Sequence, residues 1–320
     1  MIETLNLVAG AVSTKDMLPV LTHFCIYDGR IQGSNGRVAI DAPCSELAGL
    51  DAIVPAEKFL KAVNACQGEP QLKLNADKTR LTISKGRFRA TVSLLQVDDY
   101  PREENAAGEK TTFAQPVLPM LRMLAPFVSD DASRPWACSI LLRDGYAYAT
   151  NNVVVARTPY KWTAGDLALS AAGIDEMLRI GDEPTAITVT EHGCWMHYTR
   201  CWLKMQLLQG GWPEALSKLM AQLATAQPPP LPAGLLDDVQ LLKPFFPDEK
   251  MPIVLTGPEG VSTQDGQHSA AVEGGGLPKG AFRLESLSLV LAIATHADLA
   301  ASPSPWRGDN IEGLLSGVRV

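Results

Sequence analysis

The feature that most constrains this chain is an internal repeat. Asp28-Gly29, in FCIYDGRIQGSNGRVAIDAP, is followed five residues after the glycine by Ser34-Asn35, and Asp144-Gly145, in ILLRDGYAYATNNVVVARTP, is followed at the same interval by Thr150-Asn151. Both marks are offset by 116 residues. Downstream, VPAEKFLKAV and SAAGIDEMLRI occupy equivalent places, and VSLLQVDDYP returns as MQLLQGGWP, with Pro101 and Pro213 separated by 112 residues. Self-similarity of this kind means that one structural unit is built more than once.

A third copy is visible in layout alone. IVLTGPEGVSTQDGQHSAAVEG repeats the order of strand, turn, short strand and further strand, and FRLESLSLVLAIAT supplies a helix, without the Asp-Gly mark and over a shorter length. Boundaries fall in the polar run PREENAAGEK and in AQPPPLPAG, whose prolines cannot join a ladder or a helix interior. The expected domains are therefore 1–110, 111–227 and 228–320. Within a copy, Phe59, Leu60 and Val63 share one helical face away from Lys58 and Lys61, as Ile174, Met177 and Leu178 do opposite Asp175 and Arg179. LKLN-ADKT-RLTIS and AITVT-EHG-CWMHY alternate apolar and polar positions around turns, which predicts hairpins. The expected fold class is α+β, with two helices packed on antiparallel sheet in each of three repeated domains.

Composition excludes several function classes. With 46% hydrophobic and 20% charged residues the chain reads as an ordinary globular protein, and its net charge of −7 argues against coating nucleic acid by bulk charge. The three copies carry 13 Lys+Arg against 14 Asp+Glu, 9 against 10, and 6 against 11, so most of the acidity lies in the last. The stretch from Leu284 to Ala294 is interrupted by Glu285, Ser286 and Ser288 and falls short of the roughly 20 residues that span a bilayer. Glu3 stands where a secretory signal would carry positive charge, and six scattered cysteines form no C-x-x-C pair, so a cytoplasmic location without a membrane partner is expected.

No catalytic centre is expected. His192, Cys194, His197 and Cys201 offer four possible zinc ligands within ten residues, but the repeat aligns them with the ligand-free hairpin NADKTRLTISKGR. A strand also sends Cys194 and His197 to opposite faces, so ordinary strand residues are expected rather than zinc. EGGGLPKG lacks the G-x-x-x-x-G-K-[ST] order of a phosphate loop and reads as a turn before a helix. Lys85, Arg87 and Arg89 read as a solvated hairpin face rather than a DNA stripe. No metal and no cofactor are expected.

LPVLTHFCIYDG, VPAEKFLKAV and LLQVDDYP in the first copy, ATNNVVVAR in the second and the ending GLLSGVRV resemble the bacterial DNA polymerase III beta subunit, the sliding clamp. That resemblance covers essentially the whole chain and implies a head-to-tail homodimer of three-domain protomers closed into a pseudo-sixfold ring around duplex DNA. Continuous sheet across such an interface would remove exposed strand edges. It implies a non-enzymatic processivity factor with polymerase and clamp-loader peptides as partners. The alternative is a clamp-derived protein that binds such peptides without encircling DNA.

Residue by residue, the resemblance implies DNA-facing positions at Lys15, Lys58, Lys61, Arg122, Arg134, Lys243 and Arg283, the last two on third-domain helices. Glu57 stands where many relatives are basic. Phe88 matches an apolar residue at the dimer edge. The implied peptide pocket, between the second and third domains, comprises Ala137, Thr150, Asn152, Val153, Val154 and Val155, with Leu314, Leu315, Ser316, Gly317, Val318, Arg319 and Val320 from the terminal strand. Where the family has Thr-Asp-Gly-His-Arg-Leu this chain has TNNVVV, and its Met-Pro-Met-Arg-Leu ending becomes SGVRV. A more aliphatic pocket is expected, with a peptide preference that departs from the Gln-Leu-x-Leu-Phe type.

Overall fold

The structure is a computed structural model that describes residues 1–14, 18–96, 100–191, 193–208, 211–246, 251–273 and 276–319. Lys15, His192 and Val320, named above, lie outside the described residues. Two compact units separate, Met1–Leu118 with Ala172–Leu207, and Pro119–Ala171 with Leu208–Val320.

In the first unit, α1 (Ile2–Ala9) is followed by β1 (His23–Tyr27), β2 (Arg30–Ser34), β3 (Val38–Pro43), β4 (Ala52–Pro55), α2 (Ala56–Ala65) and the hairpin-linked β5 (Gln71–Leu74), β6 (Arg80–Lys85) and β7 (Phe88–Ser93). The chain then enters the second unit through α3 (Leu118–Leu124), β8 (Ser139–Arg143), β9 (Tyr146–Thr150), β10 (Val154–Pro159) and β11 (Leu167–Ser170). It returns with α4 (Ala171–Ile180), β12 (Ala186–Thr190), β13 (Gly193–His197) and β14 (Trp202–Met205). The second unit is completed by α5 (Glu214–Ala221), α6 (Leu235–Leu241), β15 (Ile253–Gly257), β16 (Gly260–Thr263), β17 (Ser269–Ala270), β18 (Gly280–Arg283), α7 (Leu284–Leu291), β19 (Ala294–Ala297), β20 (Ser304–Gly308) and β21 (Ile311–Leu315).

Each unit is built around a seven-stranded antiparallel sheet that joins distant parts of the chain. In the first the order is β12-β13-β14-β3-β2-β1-β4, and in the second β11-β8-β9-β10-β21-β20-β19. Smaller sheets, β5-β6-β7 and β17-β16-β15-β18, accompany them. Leu5 and Val8 on α1 and Phe59 and Val63 on α2 are fully buried where the two helices meet, the amphipathic arrangement the sequence spacing predicts. The expected α+β layering of helices with antiparallel sheet is what the chain adopts.

The repeat is reproduced bond for bond in its turns. Asp28 and Gly29 take φ of 46° and 69°, and Asp144 and Gly145 take 49° and 79°, the left-handed pair of a tight hairpin. Cys44 N–H donates to the Gly29 carbonyl (2.7 Å) and Tyr160 N–H to the Gly145 carbonyl (2.8 Å), again 116 residues apart. At the next turn Asn35 Oδ1 accepts from Arg37 and Val38 N–H, and Asn151 Oδ1 from Val153 and Val154 N–H. Asparagine is required there because its short carbonyl stands in for a backbone acceptor two residues on.

Within the His/Cys segment, Gly193–His197 is a plain strand. Cys194 faces Val189 and Met205, while His197 faces Ala186 and Trp202 with its Nε2 2.9 Å from Thr188 Oγ1. Burial pushes the Cys194 thiol up to about 12, which keeps it protonated and a poor ligand. Among the described residues no group of three or more His, Cys, Asp or Glu side chains converges as a metal site, and no helix is long and apolar enough to cross a membrane.

Candidate functional site

The site grows out of one strand pairing. β10 and β21, about 160 residues apart in sequence, align Val154 with Leu315, Val155 with Leu314, Ala156 with Gly313 and Arg157 with Glu312. Alternation then divides the pairs between two faces. Val154, Ala156 and Leu315 point into the core, where Trp306 stacks on Phe127 with ring centroids 5.8 Å apart. Gly313 is demanded by this packing, since a Cβ there would lie 2.5 Å from Trp306 Cζ2.

The other face carries Val155, Leu314, Arg157 and Glu312, with Tyr148 opposite Arg157 on β9. Across it lies α5, continued by a 3-10 turn at Gln222–Ala224. Met220 and Leu223 are buried against Val155 and Leu314, with Tyr148, Trp212 and Leu219 packed around them. Burial of each such side chain stabilises the seat by about 1.5–3 kcal/mol. Polar bonds fix the margins: Arg157 pairs with Glu312 at 2.6 Å, and Arg307 donates to the Leu223 carbonyl at 2.9 Å.

A cavity of about 290 Å³ opens beside this seat, lined by Thr150, Asn152, Val153, Val154, Val155, Leu314, Ser316 and Gly317, all expected from the sequence, and by Leu216, Leu219, Ser302 and Pro303, which were not. The loop at its mouth is tied by its own hydrogen bonds. Thr150 Oγ1 donates to the Val154 carbonyl (2.7 Å) and accepts from Asn152 N–H (3.1 Å), which holds Asn152 at a φ of 70°. A second cavity of about 210 Å³, lined by Leu141, Arg143, Tyr148, Arg157, Trp212 and Met220, shares Leu216 with the first. The spacing of Leu216, Leu219, Met220 and Leu223 is itself helical and amphipathic, and was the signal available for α5.

Other expected pocket residues are placed elsewhere. Ala137 is fully buried in the 3-10 turn at Pro135–Ala137, and Leu315 belongs to the opposite face of the sheet. Val318 and Arg319 line a different groove, over the sheet containing β15 and β18.

The expected DNA-facing cations are scattered in environment. Lys58 and Lys61 are exposed on α2, but Lys61 is paired with Glu57 at 2.5 Å, and the lysine holds that carboxyl below the usual range. Arg122 is exposed in the last turn of α3. Two placements differ from the expected third-domain helices: Lys243 sits in a 3-10 turn after α6, and Arg283 ends β18 just before α7. Arg134 precedes a 3-10 turn at Pro135–Ala137. Pro244, second in its turn, cannot donate the amide that would extend α6, and Pro135, first in the other, disfavours helical backbone at Arg134 before it. Arg134 and Arg283 line one polar cleft of about 460 Å³ together with Asp130, Asp131 and Glu285. Phe88 is half-buried at the start of β7, opposite Lys85.

No family model matches the chain. Among curated proteins, it is similar to the beta sliding clamp of Pseudomonas putida, 27% identical over 124 residues. That match spans 35% of this chain and about a third (32%) of the relative's length. Among solved structures, it is similar to a putative DNA polymerase III beta subunit from Eubacterium rectale (TM-score 0.82, 12% identity) and to the DNA polymerase sliding clamp from Bacillus subtilis (0.79, 16%). It is also similar to the Helicobacter pylori beta clamp bound to a DNA ligase peptide (0.76, 12%). Each of these likenesses covers 100% of this chain and 97% of the other. The chain thus has, over its whole length, the fold of the bacterial sliding clamps that form the beta subunit of DNA polymerase III, and over about a third of its length it resembles them in sequence as well.

Proposed function

We propose that this chain is a DNA sliding clamp. In this reading it is a non-enzymatic processivity factor, needing no metal or cofactor, whose three-domain protomers (1–110, 111–227 and 228–320) close head to tail as a homodimer around duplex DNA in the cytoplasm. Peptides of a polymerase and a clamp loader dock in the cavity beside α5. The observation that carries the reading is the fold likeness to sliding clamps across the full chain.

Surface features support self-association. β7 is an edge strand, and the two-residue β17 is another. Beside β17, Phe245 is 49% exposed and stacks on His268 with centroids 3.9 Å apart, and Leu241 is 63% exposed. Edges and apolar patches of this kind are satisfied by pairing with a second copy. A ring would also reconcile a net charge of −7 with DNA, because topology rather than counterion release holds the duplex. Tethering then works by effective concentration: a polymerase held near its primer rebinds before it diffuses away.

The test is retention on DNA after loading. The clamp reading expects a dimer in solution that stays on nicked circular DNA and runs off when the circle is cut. A monomer at micromolar concentration, or equal retention on both forms, defeats ring closure. Peptide binding without retention would instead establish the peptide-binding alternative, toward which Glu57 and the three carboxylates beside Arg134 and Arg283 point.

A further inference from the structure

We propose that the exposed face of the sheet β17-β16-β15-β18 is a second half of the peptide site, and that it takes an acidic extension of the partner peptide. The inference rests on the cavity beside α5 being a peptide site.

One face of this sheet is closed: Val254, Thr256, Val261, Thr263 and Phe282 are buried. The opposite face presents a transverse row. Ser269 pairs with Ser262, Ser262 with Leu255, and Leu255 with Ala281; Ser269 is exposed, Ser262 and Leu255 are half-exposed, and Ala281 is buried at the end of the row that Val318 bonds. Above that row lies a groove of about 910 Å³. At the spacing of hydrogen-bonded strands the row is roughly 14 Å long, the length of about four extended residues.

The groove is continuous with the cavity through the terminal segment. Ser316 N–H donates to the Val153 carbonyl at 2.8 Å, and Val318 N–H to the Ala281 carbonyl at 2.7 Å. These alternate bonds stitch the segment to the cavity loop on one side and to β18 on the other. Ser316 and Gly317 line the cavity while Val318 and Arg319 line the groove, so the same short strand forms the wall of both.

Charge selects the occupant. Lys279 and Arg319 are exposed on the groove, and neither has an ion-pair partner among the described residues. Glu259 is the one carboxylate among the groove's described lining residues, which leaves their net charge positive. An extended segment with small or aliphatic residues over Leu255 and carboxylates toward Lys279 and Arg319 meets both demands.

Fluorescence anisotropy with the full chain tests this. The probes are two labelled peptides, one with a Gln-Leu-Ser-Leu-Phe core and one with a more aliphatic Leu-Leu-Ser-Leu-Val core, each used alone and extended at either end by four Asp and Glu residues. The better acidic extension is expected to tighten binding by about 5-fold at low salt, the scale of two exposed ion pairs, and to lose that gain in high salt. Lys279→Glu and Ser262→Glu, both away from the cavity, should each erase the gain and leave core-peptide affinity unchanged. Equal affinity for core and extended peptides, or the same gain from a lysine extension, overturns the inference while leaving the pocket standing. Failure of every peptide to bind overturns the pocket reading and this inference together.

Discussion

The two seven-stranded sheets are built on the same pattern and are crossed in different ways. In the first unit the segment from Tyr100 to Ala106 runs extended over the sheet and is pinned by polar groups. Gln32, fully buried, donates to the Glu103 carbonyl and accepts its N–H, both at 2.8 Å. Trp195 Nε1 donates to the Glu104 carbonyl at 3.0 Å, and Lys204 pairs with Glu103. In the second unit the crossing element is α5, held by Met220 and Leu223 in an apolar seat. The residues beneath explain the difference. Positions 116 apart place Ala39 against Val155 and Gln32 against Tyr148, and across the neighbouring strand Lys204 faces Ala39 where Leu314 faces Val155. Amide and ammonium groups bind a backbone directly. Aliphatic groups instead seat a helix, and a cylinder on a flat sheet leaves open flanks, where the two cavities lie.

The largest effect expected from disturbing this contrast is at Asp41. It is fully buried and receives Tyr27 Oη at 2.5 Å, Arg30 Nε at 2.6 Å and Gln32 Nε2 at 3.3 Å. Asp41→Ala strands these donors and should cost about 3 kcal/mol in urea unfolding. A loss under 1 kcal/mol would show that the polar crossing is ornamental.

Leu314→Lys imposes the first sheet's chemistry on the second. It places an ammonium in the α5 seat, so destabilisation of about 2 kcal/mol and at least a roughly 10-fold loss of peptide affinity are expected. Wild-type affinity by anisotropy would remove β21 from the site.

The smallest effect concerns His197, whose pKa is held below the ordinary value by burial and then by Lys110. An imidazole depressed in the folded state takes up its proton more readily when unfolded. Its contribution is therefore intact above the unfolded pKa of about 6.5 and is lost as pH falls toward the folded value. Thermal melts between pH 7.5 and 5.5 should show His197→Asn with a flatter acid limb than wild type, and parallel limbs would assign the acid sensitivity elsewhere.

Legibility differed between the two regions in the same way. The Asp-Gly and Ser/Thr-Asn marks identified the turns because left-handed backbone and side-chain acceptors admit few residue types. Eight cavity residues were readable from TNNVVV and the terminal strand. Ala137 and Leu315 were misplaced because resemblance assigns a neighbourhood, whereas strand alternation assigns a face. Lys243 and Arg283 were read as helical from position alone, and for Lys243 the following proline was the signal against it.

Local chemistry, then, determined the repeated turns, their hairpins and the amphipathic helices, because turn geometry and periodicity act within a few residues. Tertiary structure alone decided that β10 pairs with β21 and β3 with β14, and which face of each sheet the crossing segment covers. Pairing between strands about 160 residues apart leaves no periodic trace in sequence. Only after that pairing is made do Val155, Leu314 and Leu216 surround one cavity, and Val318 and Arg319 turn away from it.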